Sequence, residues 1–176
     1  IRNGIRENSY FKLLQEQVNA EFYSAYLYLS FANWLEVEGL PGFANFYKIQ
    51  AKEEQFHGEL FMDYLHAHGI LVDLPAIDAP DFKVKDIESI LREGLKHEQH
   101  VTALIHNIYK EALAVHDFRT TEMLNWFVKE QLEEEVVAQE LIDKFMLLKD
   151  SGNGIYIMDQ ELASREWEEP EFSIVD

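Results

Sequence analysis

The chain has 176 residues, about the size of one domain, and carries 33 acidic against 15 basic residues for a formal net charge of −18. This charge argues against nucleic acid as a partner, because phosphate binding needs clustered lysine and arginine, and it favours cationic partners. The absence of cysteine excludes disulfides and zinc–cysteine sites. No apolar run approaches the roughly 18 residues that a membrane helix needs. We therefore expect a cytoplasmic protein that binds neither membranes nor nucleic acid, with residues 1–4 as a trimmed start.

Four long helices are predicted within residues 9–149, where apolar side chains recur at alternating steps of three and four. The first begins at the candidate N-cap Ser9 and ends at the glycines of the 39–42 turn, and the second ends at Gly69. The third begins near Val84, and a short break at residues 116–118 separates it from the fourth. A short fifth helix is predicted over residues 155–166, followed by an acidic tail at 167–176.

The lengths of the connections predict how the helices are arranged. Short breaks make helices one and two antiparallel neighbours, and likewise helices three and four. The link at residues 70–83 is long enough to run back along the bundle, because about 14 residues span roughly 45 Å. The sequence thus predicts an all-α protein, a single domain over residues 1–176. Its fold would be a four-helix bundle with one long crossover between helices two and three.

Polar side chains interrupt the apolar stripes of all four helices near mid-height. The six positions are Glu21, Glu54, His57, Glu98, Gln131 and Glu134. Several carboxylates buried together would repel each other unless protons or cations neutralise them. The separation of the first two, 54 − 21 = 33, recurs between Glu98 and Gln131, 131 − 98 = 33, so the two halves of the bundle repeat each other.

This repeat predicts a site for two metal ions, with carboxylate and imidazole ligands that suit Fe(II), Mn or Zn. One ion would be bound by Glu21, Glu54 and His57, and the other by Glu54, Glu98 and Glu134, with Glu54 bridging both. Neutral Gln131 would lower the negative charge at the second ion and bind water or an oxygen ligand. Tyr28 lies two turns beyond Glu21, which places its hydroxyl near the site. Taken alone, Tyr28 could equally be a core residue whose hydroxyl is bonded to a neighbour.

A second carboxylate group, Glu53, Glu130 and Glu133, adjoins the first in the sequence. Two interpretations remain open for it: an ordinary acidic helix surface, or an extra cation site that feeds or drains the two-metal site. The other histidines are interpreted as surface or stripe residues. They are His66, His68, His97, His100, His106 and His116.

The stretches that carry these residues resemble the bacterial non-haem ferritins, over about residues 9–164. They are NAEFYSAYLY at 19–28, KEEQFH at 52–57, KHEQH at 96–100 and NWFVKEQLEEE at 125–135. The resemblance implies a ferritin-like bundle in which the six polar residues are ferroxidase ligands, with Tyr28 and Trp126 as aromatic neighbours. It also implies a third iron site at Glu53, Glu130 and Glu133, with Glu134 shared.

The activity implied by the resemblance is oxidation of Fe(II) by O2 or peroxide and storage of ferric mineral inside a homo-oligomeric shell of 24 subunits. Haem is not expected, because haem-binding relatives carry methionine and histidine where this chain has Gln55 and Glu134. The tail at 167–176 is longer than is usual in the family. A subunit interface is also predicted from apolar side chains off the core stripe of helix one: Phe22, Tyr23, Tyr26, Leu27, Leu29, Phe31 and Trp34.

Two other functions remain as alternatives. One is a di-iron or di-manganese oxidase or peroxidase of the rubrerythrin-like kind, without mineral storage. The absence of rubredoxin-type cysteines and the small size of the chain count against it. The other is a non-catalytic acidic bundle that scaffolds partners or buffers cations. Inward-facing ligand residues count against that, because apolar side chains would pack more stably.

Overall fold

The computed structural model describes residues 9–175, which form five helices and no strand. The helices are α1 (Ser9–Val37), α2 (Pro41–Ala67), α3 (Ile87–Ala114), α4 (Phe118–Leu148) and α5 (Gly154–Ala163). The first four form the predicted bundle: α1 packs along α2, α3 packs along α4, and α1 contacts α3. Within the described residues, no helix is both long and apolar enough to cross a membrane. The predicted trimmed start at 1–4 lies outside the described residues.

Turn chemistry explains where the helices begin and end. Gly39 adopts a φ of 77° between α1 and α2, a left-handed conformation that costs glycine little. Helix α3 begins at Ile87, later than predicted, because Asp86 and Ser89 form a reciprocal capping box. The crossover therefore occupies residues 68–86. Asp117 caps α4 by accepting a hydrogen bond from the Thr120 amide over 3.1 Å.

The bundle core consists of two apolar clusters, one toward each end. One cluster contains Leu14, Phe61, Ile105 and Phe127, and the other contains Leu35, Phe43, Ile90 and Phe145. The predicted polar residues at mid-height belong to neither cluster. They form a polar layer that divides the core.

The structure corrects part of the predicted interface on α1. Leu27 and Phe31 are buried within the bundle itself. The Phe31 ring lies edge-on to the Tyr47 ring, with 5.3 Å between centroids, and 5.8 Å from the ring of Phe82 in the crossover. Because α1 faces α2, α3 and the crossover, its buried arc is wider than one stripe. Tyr26 and Leu29 are about half exposed in the chain.

Helix α5 packs across the ends of α2 and α4. Asp159 caps the first turn of α2, because its Oδ1 accepts hydrogen bonds from the amides of Gly42 and Phe43 over 2.8 and 3.0 Å. The approach requires glycine, since a Cβ on Gly42 would lie 1.6 Å from the Asp159 carbonyl oxygen. Helix α5 ends at Ala163, earlier than predicted, where the Asn45 side chain binds the carbonyl of Leu162.

After α5 the chain turns back along the bundle. We call residues 164–175 the C-terminal strap; it runs over the face formed by α2 and α4. The Trp167 ring contacts Phe56 of α2, with centroids 6.4 Å apart. The Phe172 ring stacks on Trp126 of α4, with a centroid distance of 4.5 Å and an interplanar angle of 8°. The strap thereby covers one side of the polar layer.

Candidate metal centre

The six residues predicted as ligands meet in the polar layer, where none of their side chains is more than 6% exposed. Helix α1 supplies Glu21, α2 supplies Glu54 and His57, α3 supplies Glu98, and α4 supplies Gln131 and Glu134. The i, i+3 spacing on α2 places Glu54 and His57 on one helix face. We call this set the six-residue centre.

The centre contains two groups of three residues, each with ligand-type atoms within 4.8 Å of one another. One group is Glu21, Glu54 and His57, and the other is Glu54, Glu98 and Glu134. His57 Nδ1 lies 3.5 Å from Glu54 Oε2 and 3.9 Å from Glu21 Oε2. Glu54 belongs to both groups, as a bridging ligand would. That these atoms bind cations stays a prediction.

Among the side chains of residues 11–175, seven buried atoms have no hydrogen-bond partner: six belong to the six-residue centre, and the seventh belongs to Gln50, which contacts Glu134. They are Glu21 Oε2, Gln50 Oε1, both Glu54 oxygens, both His57 ring nitrogens and Gln131 Oε1. A buried polar atom without a partner costs on the order of 1–3 kcal/mol, so such atoms are rare in folded proteins. Carboxylate, amide and imidazole donors around shared space fit divalent cations of intermediate hardness.

Other oxygens of these carboxylates accept hydrogen bonds from neighbouring side chains. Gln17 Nε2 donates to Glu21 Oε1 over 3.0 Å, and Gln50 Nε2 donates to Glu134 Oε2 over 2.8 Å. Side chains that orient ligands in this way raise metal affinity, because they remove alternative rotamers. Neither glutamine was predicted from the sequence. Their positions could have indicated them, since Gln17 and Gln50 each lie one helical turn before a predicted ligand.

The burial of the centre changes its protonation. Burial raises the pKa of Glu54 and of Glu134 well above the ordinary value, and the nearby charge of Glu98 adds to both shifts. Burial also raises the pKa of Glu98 to about 7, although hydrogen bonds from Tyr28 and Gln131 oppose the shift. Burial lowers the pKa of His57, which keeps the ring neutral. Without a cation, the centre holds protons that a bound cation would displace.

Tyr28 lies at the edge of the centre and its hydroxyl donates a hydrogen bond to Glu98 Oε1. Burial and the surrounding carboxylates raise the pKa of Tyr28 well above its usual value, so the phenol stays protonated. On the opposite side, the Trp126 ring lies edge-on to His57, with 5.5 Å between centroids. Both aromatic residues therefore contact predicted ligands, Tyr28 through a hydrogen bond to Glu98 and Trp126 through its ring against His57.

One histidine departs from its interpretation as an ordinary surface or stripe residue. His97 is buried and its Nε2 lies 2.6 Å from Ser24 Oγ. The Ser24 hydroxyl already donates to the Ala20 carbonyl, so it accepts from His97 Nε2–H. The ring also lies edge-on to Tyr28, at 5.8 Å. Of the other five, His68 is partly buried, whereas the remaining four are exposed: His66, His100, His106 and His116.

The second carboxylate group lies on the α2 and α4 face beside the centre. Glu53 and Glu130 are partly buried and Glu133 is exposed. Burial raises the pKa of Glu130 to about 7, and the charges of Glu133 and Glu53 add to the rise. Within the described part of the chain, these three do not form a compact ligand group like the two above. Glu53 instead pairs with Arg165 of the strap over 3.1 Å.

Comparison with known proteins identifies relatives of this chain. Residues 11–148 match the ferritin family, described as a ferritin-like domain. A bacterial non-heme ferritin of Staphylococcus saprophyticus is 39% identical over 158 residues, which cover 90% of this chain and 95% of that protein. An open pore ferritin from the archaeon Archaeoglobus fulgidus superposes with a TM-score of 0.88 at 34% identity, over 91% of this chain and 98% of that one. An engineered closed form of the same ferritin has a TM-score of 0.89 at 33% identity, covering 92% and 99%.

Proposed function

The chain belongs to the ferritin family, and from this premise we propose that it is an iron-storage ferritin with a ferroxidase centre in every subunit. The six-residue centre oxidises Fe(II) with O2 or peroxide, and the ferric product is stored as mineral inside a hollow shell of 24 subunits. The protein acts in the cytoplasm and takes no haem.

The observation that carries this proposal is the set of unpartnered buried atoms around Glu54. An apolar layer would stabilise the bundle more, so retaining carboxylate and imidazole groups there requires a function. Two groups that share Glu54 match the need to hold two iron ions side by side.

The paired arrangement suits the electron balance of the reaction. Two Fe(II) ions give up one electron each, and these two electrons reduce O2 to H2O2 with the uptake of two protons, or H2O2 to two water molecules. Glu21 and His57 would hold one Fe(II), Glu98 and Glu134 would hold the other, and Glu54, which belongs to both groups, would be shared. The buried carboxyl groups release their protons when Fe(II) binds, because the cation favours their charged forms.

The residues around the ligands have supporting roles. Gln17 and Gln50 orient Glu21 and Glu134, so that a free lone pair faces the bound ion. Tyr28 stays protonated and donates to Glu98, which offsets part of the negative charge at the second ion. Gln131 donates to Glu98 Oε2 over 3.1 Å and keeps its own Oε1 free toward the centre.

Two features support the shell. The formal net charge of −18 per chain attracts Fe(II) to the assembled particle. The half-exposed Tyr26 and Leu29 on α1 offer apolar area for contact between subunits. Phe22, Tyr23 and Trp34 are only partly buried on the same helix and can extend that contact.

The test is aerobic loading with Fe(II) followed by gel filtration, with the iron retained per chain measured on the eluted particle. Tens to hundreds of iron atoms per chain on a very large particle would support the proposal. About two per chain on a small oligomer would indicate a di-iron oxidase or peroxidase of the rubrerythrin-like kind. No retained iron would reject both and favour a non-catalytic acidic bundle.

A further inference from the structure

The guanidinium of Arg165 is fixed where the strap leaves α5. Arg165 Nη2 lies 3.1 Å from Glu53 Oε1, and the guanidinium carbon lies 4.6 Å above the centre of the Phe46 ring. The Arg165 backbone is held as well, because Asn45 Nδ2 donates to its carbonyl oxygen over 3.0 Å. Ion pairing, ring stacking and a backbone hydrogen bond thus hold the positively charged Arg165 side chain against α2.

Glu53 is the residue that links this ion pair to the centre. It directly precedes Glu54, and it lies close enough to Glu130 and Glu134 for its charge to act on both. From the sequence, Glu53, Glu130 and Glu133 have two interpretations: a solvated surface or a third cation site. The structure adds a third possibility, since a positive group of the chain itself already binds Glu53.

We propose that Arg165 determines the cation stoichiometry of each subunit: its guanidinium takes the place of a third divalent cation beside Glu53, so the chain binds two such cations and not three. The inference rests on the proposed function, because the two cations are those of the six-residue centre. A guanidinium is always charged and cannot act as a ligand. Like charges repel strongly at short distance in a partly buried site, so a third cation must first displace Arg165.

The strap keeps Arg165 in position. Trp167, two residues further on, contacts Phe56, and Phe172 stacks on Trp126 at 4.5 Å. These contacts keep the backbone of Arg165 beside α2, so the guanidinium remains within reach of Glu53. A divalent cation at Glu53 has to compete with the ion pair and with the stacking on Phe46.

The test is anaerobic calorimetric titration of the assembled, metal-free protein with Zn(II), which needs no turnover. We expect two ions per chain for the wild type and for Glu53→Gln, since Glu53 is not a ligand while Arg165 holds it. Arg165→Gln should bind a third ion. Its affinity for that ion should be at least about tenfold higher than the affinity of the wild type for a third ion. The double variant Arg165→Gln/Glu53→Gln should return to two.

The controls separate charge from the loss of an α5 contact. Arg165→Lys keeps the positive charge and should stay at two ions. Lys144→Gln removes the 2.8 Å ion pair with Glu161 that joins α4 to α5, far from Glu53 in the chain, and should also stay at two. Circular dichroism and gel filtration of each variant report whether the bundle and its assembly are retained.

The outcomes distinguish this inference from the proposed function. The inference is overturned if Arg165→Gln binds no more Zn(II) than the wild type, or if Glu53→Gln alone loses an ion. A wild type that binds no Zn(II) at the six-residue centre contradicts the proposed function instead. The inference about Arg165 can still be tested in that case. It is supported if Arg165→Gln binds one ion more than the wild type and the double variant with Glu53→Gln loses that ion, and it is rejected if Arg165→Gln gains no ion.

Discussion

Gln50 Nε2 donates a hydrogen bond to Glu134 Oε2 over 2.8 Å and so joins α2 to α4 inside the polar layer. Gln50 lies one turn before Glu54 on the same helix. Helix α2 therefore carries both the carboxylate that belongs to both groups of three and the amide that orients a carboxylate on α4. The other amide atom, Gln50 Oε1, is among the buried atoms without a partner and also faces this layer.

Gln50→Leu should weaken the second cation group selectively. Without the amide, Glu134 gains alternative rotamers, and lost orienting contacts of this kind cost about 10–100-fold in metal affinity. Calorimetric titration with Zn(II) should show one of two ions weakened by that factor. Gln55→Leu, on the exposed side of α2, is the matched control and should leave both affinities unchanged. Equal affinities in Gln50→Leu and wild type would show that Glu134 needs no orientation.

Glu54→Leu should abolish rapid Fe(II) oxidation and at the same time stabilise the metal-free chain. The substitution removes the group shared by both predicted cation groups, so we expect the initial rate to fall by more than about tenfold. It also replaces a buried acid whose oxygens lack partners with an apolar side chain of similar size, which should raise the free energy of unfolding by about 1–4 kcal/mol. Stopped-flow oxidation and urea unfolding measure the two effects. Glu59→Leu, exposed on the same helix, should change neither. A full rate in Glu54→Leu would refute the bridging role.

The metal-free protein should lose stability as the pH rises above 6.5. The folded pKa of Glu98, about 7, lies above its ordinary 4.5, so the folded chain keeps a proton that the unfolded chain loses, and stability falls across that window. Burial lowers the pKa of His97 to about 4 and also lowers the pKa of His57. The unfolded chain therefore binds protons that these two folded side chains do not, so their effect makes stability increase with pH. This effect ends near pH 6.5, the ordinary pKa of histidine. Above 6.5 the carboxyl effect acts alone, reinforced by Glu54 and Glu134.

Urea unfolding from pH 6.5 to 8 measures this effect, and we expect a loss of about 1 kcal/mol or more without metal. Glu98→Gln should make the dependence shallower, with Glu54 and Glu134 contributing the rest. Saturating Zn(II) should largely remove the dependence, because bound ligands are already ionised. A metal-free wild type whose stability is constant or increases over this range would contradict the raised carboxyl pKa values.

Phe172→Ala should loosen the strap without unfolding the bundle. The stack of Phe172 on Trp126 is nearly parallel, and such aromatic pairs contribute about 0.5–1.5 kcal/mol beyond buried area. We expect a loss of about 1 kcal/mol in the free energy of unfolding and a shift in Trp126 fluorescence. Phe118→Ala, at the exposed start of α4, serves as the control. An unchanged emission spectrum in Phe172→Ala would mean that the strap does not rest on Trp126 in solution.

The four bundle helices, their antiparallel pairing and the set of six inward polar residues could all be predicted from the sequence. Each depends on a regular local period: an α-helix repeats every 3.6 residues, so spacing along the chain determines which side chains share a face. Glu54 and His57 lie on one face of α2 for this reason. The wide buried arc of α1, which encloses Leu27 and Phe31, could not be predicted in this way, because it depends on how many neighbours surround the helix.

The contacts that complete the centre were decided by tertiary structure alone. Gln50 is 84 residues from Glu134, and Arg165 is 112 residues from Glu53. No periodic pattern relates side chains so far apart, because their distance depends on the packing of whole helices and on the path of the strap after α5. Sequence therefore specifies which residue types face inward, whereas packing selects their partners, since only the folded chain brings distant atoms within hydrogen-bonding distance.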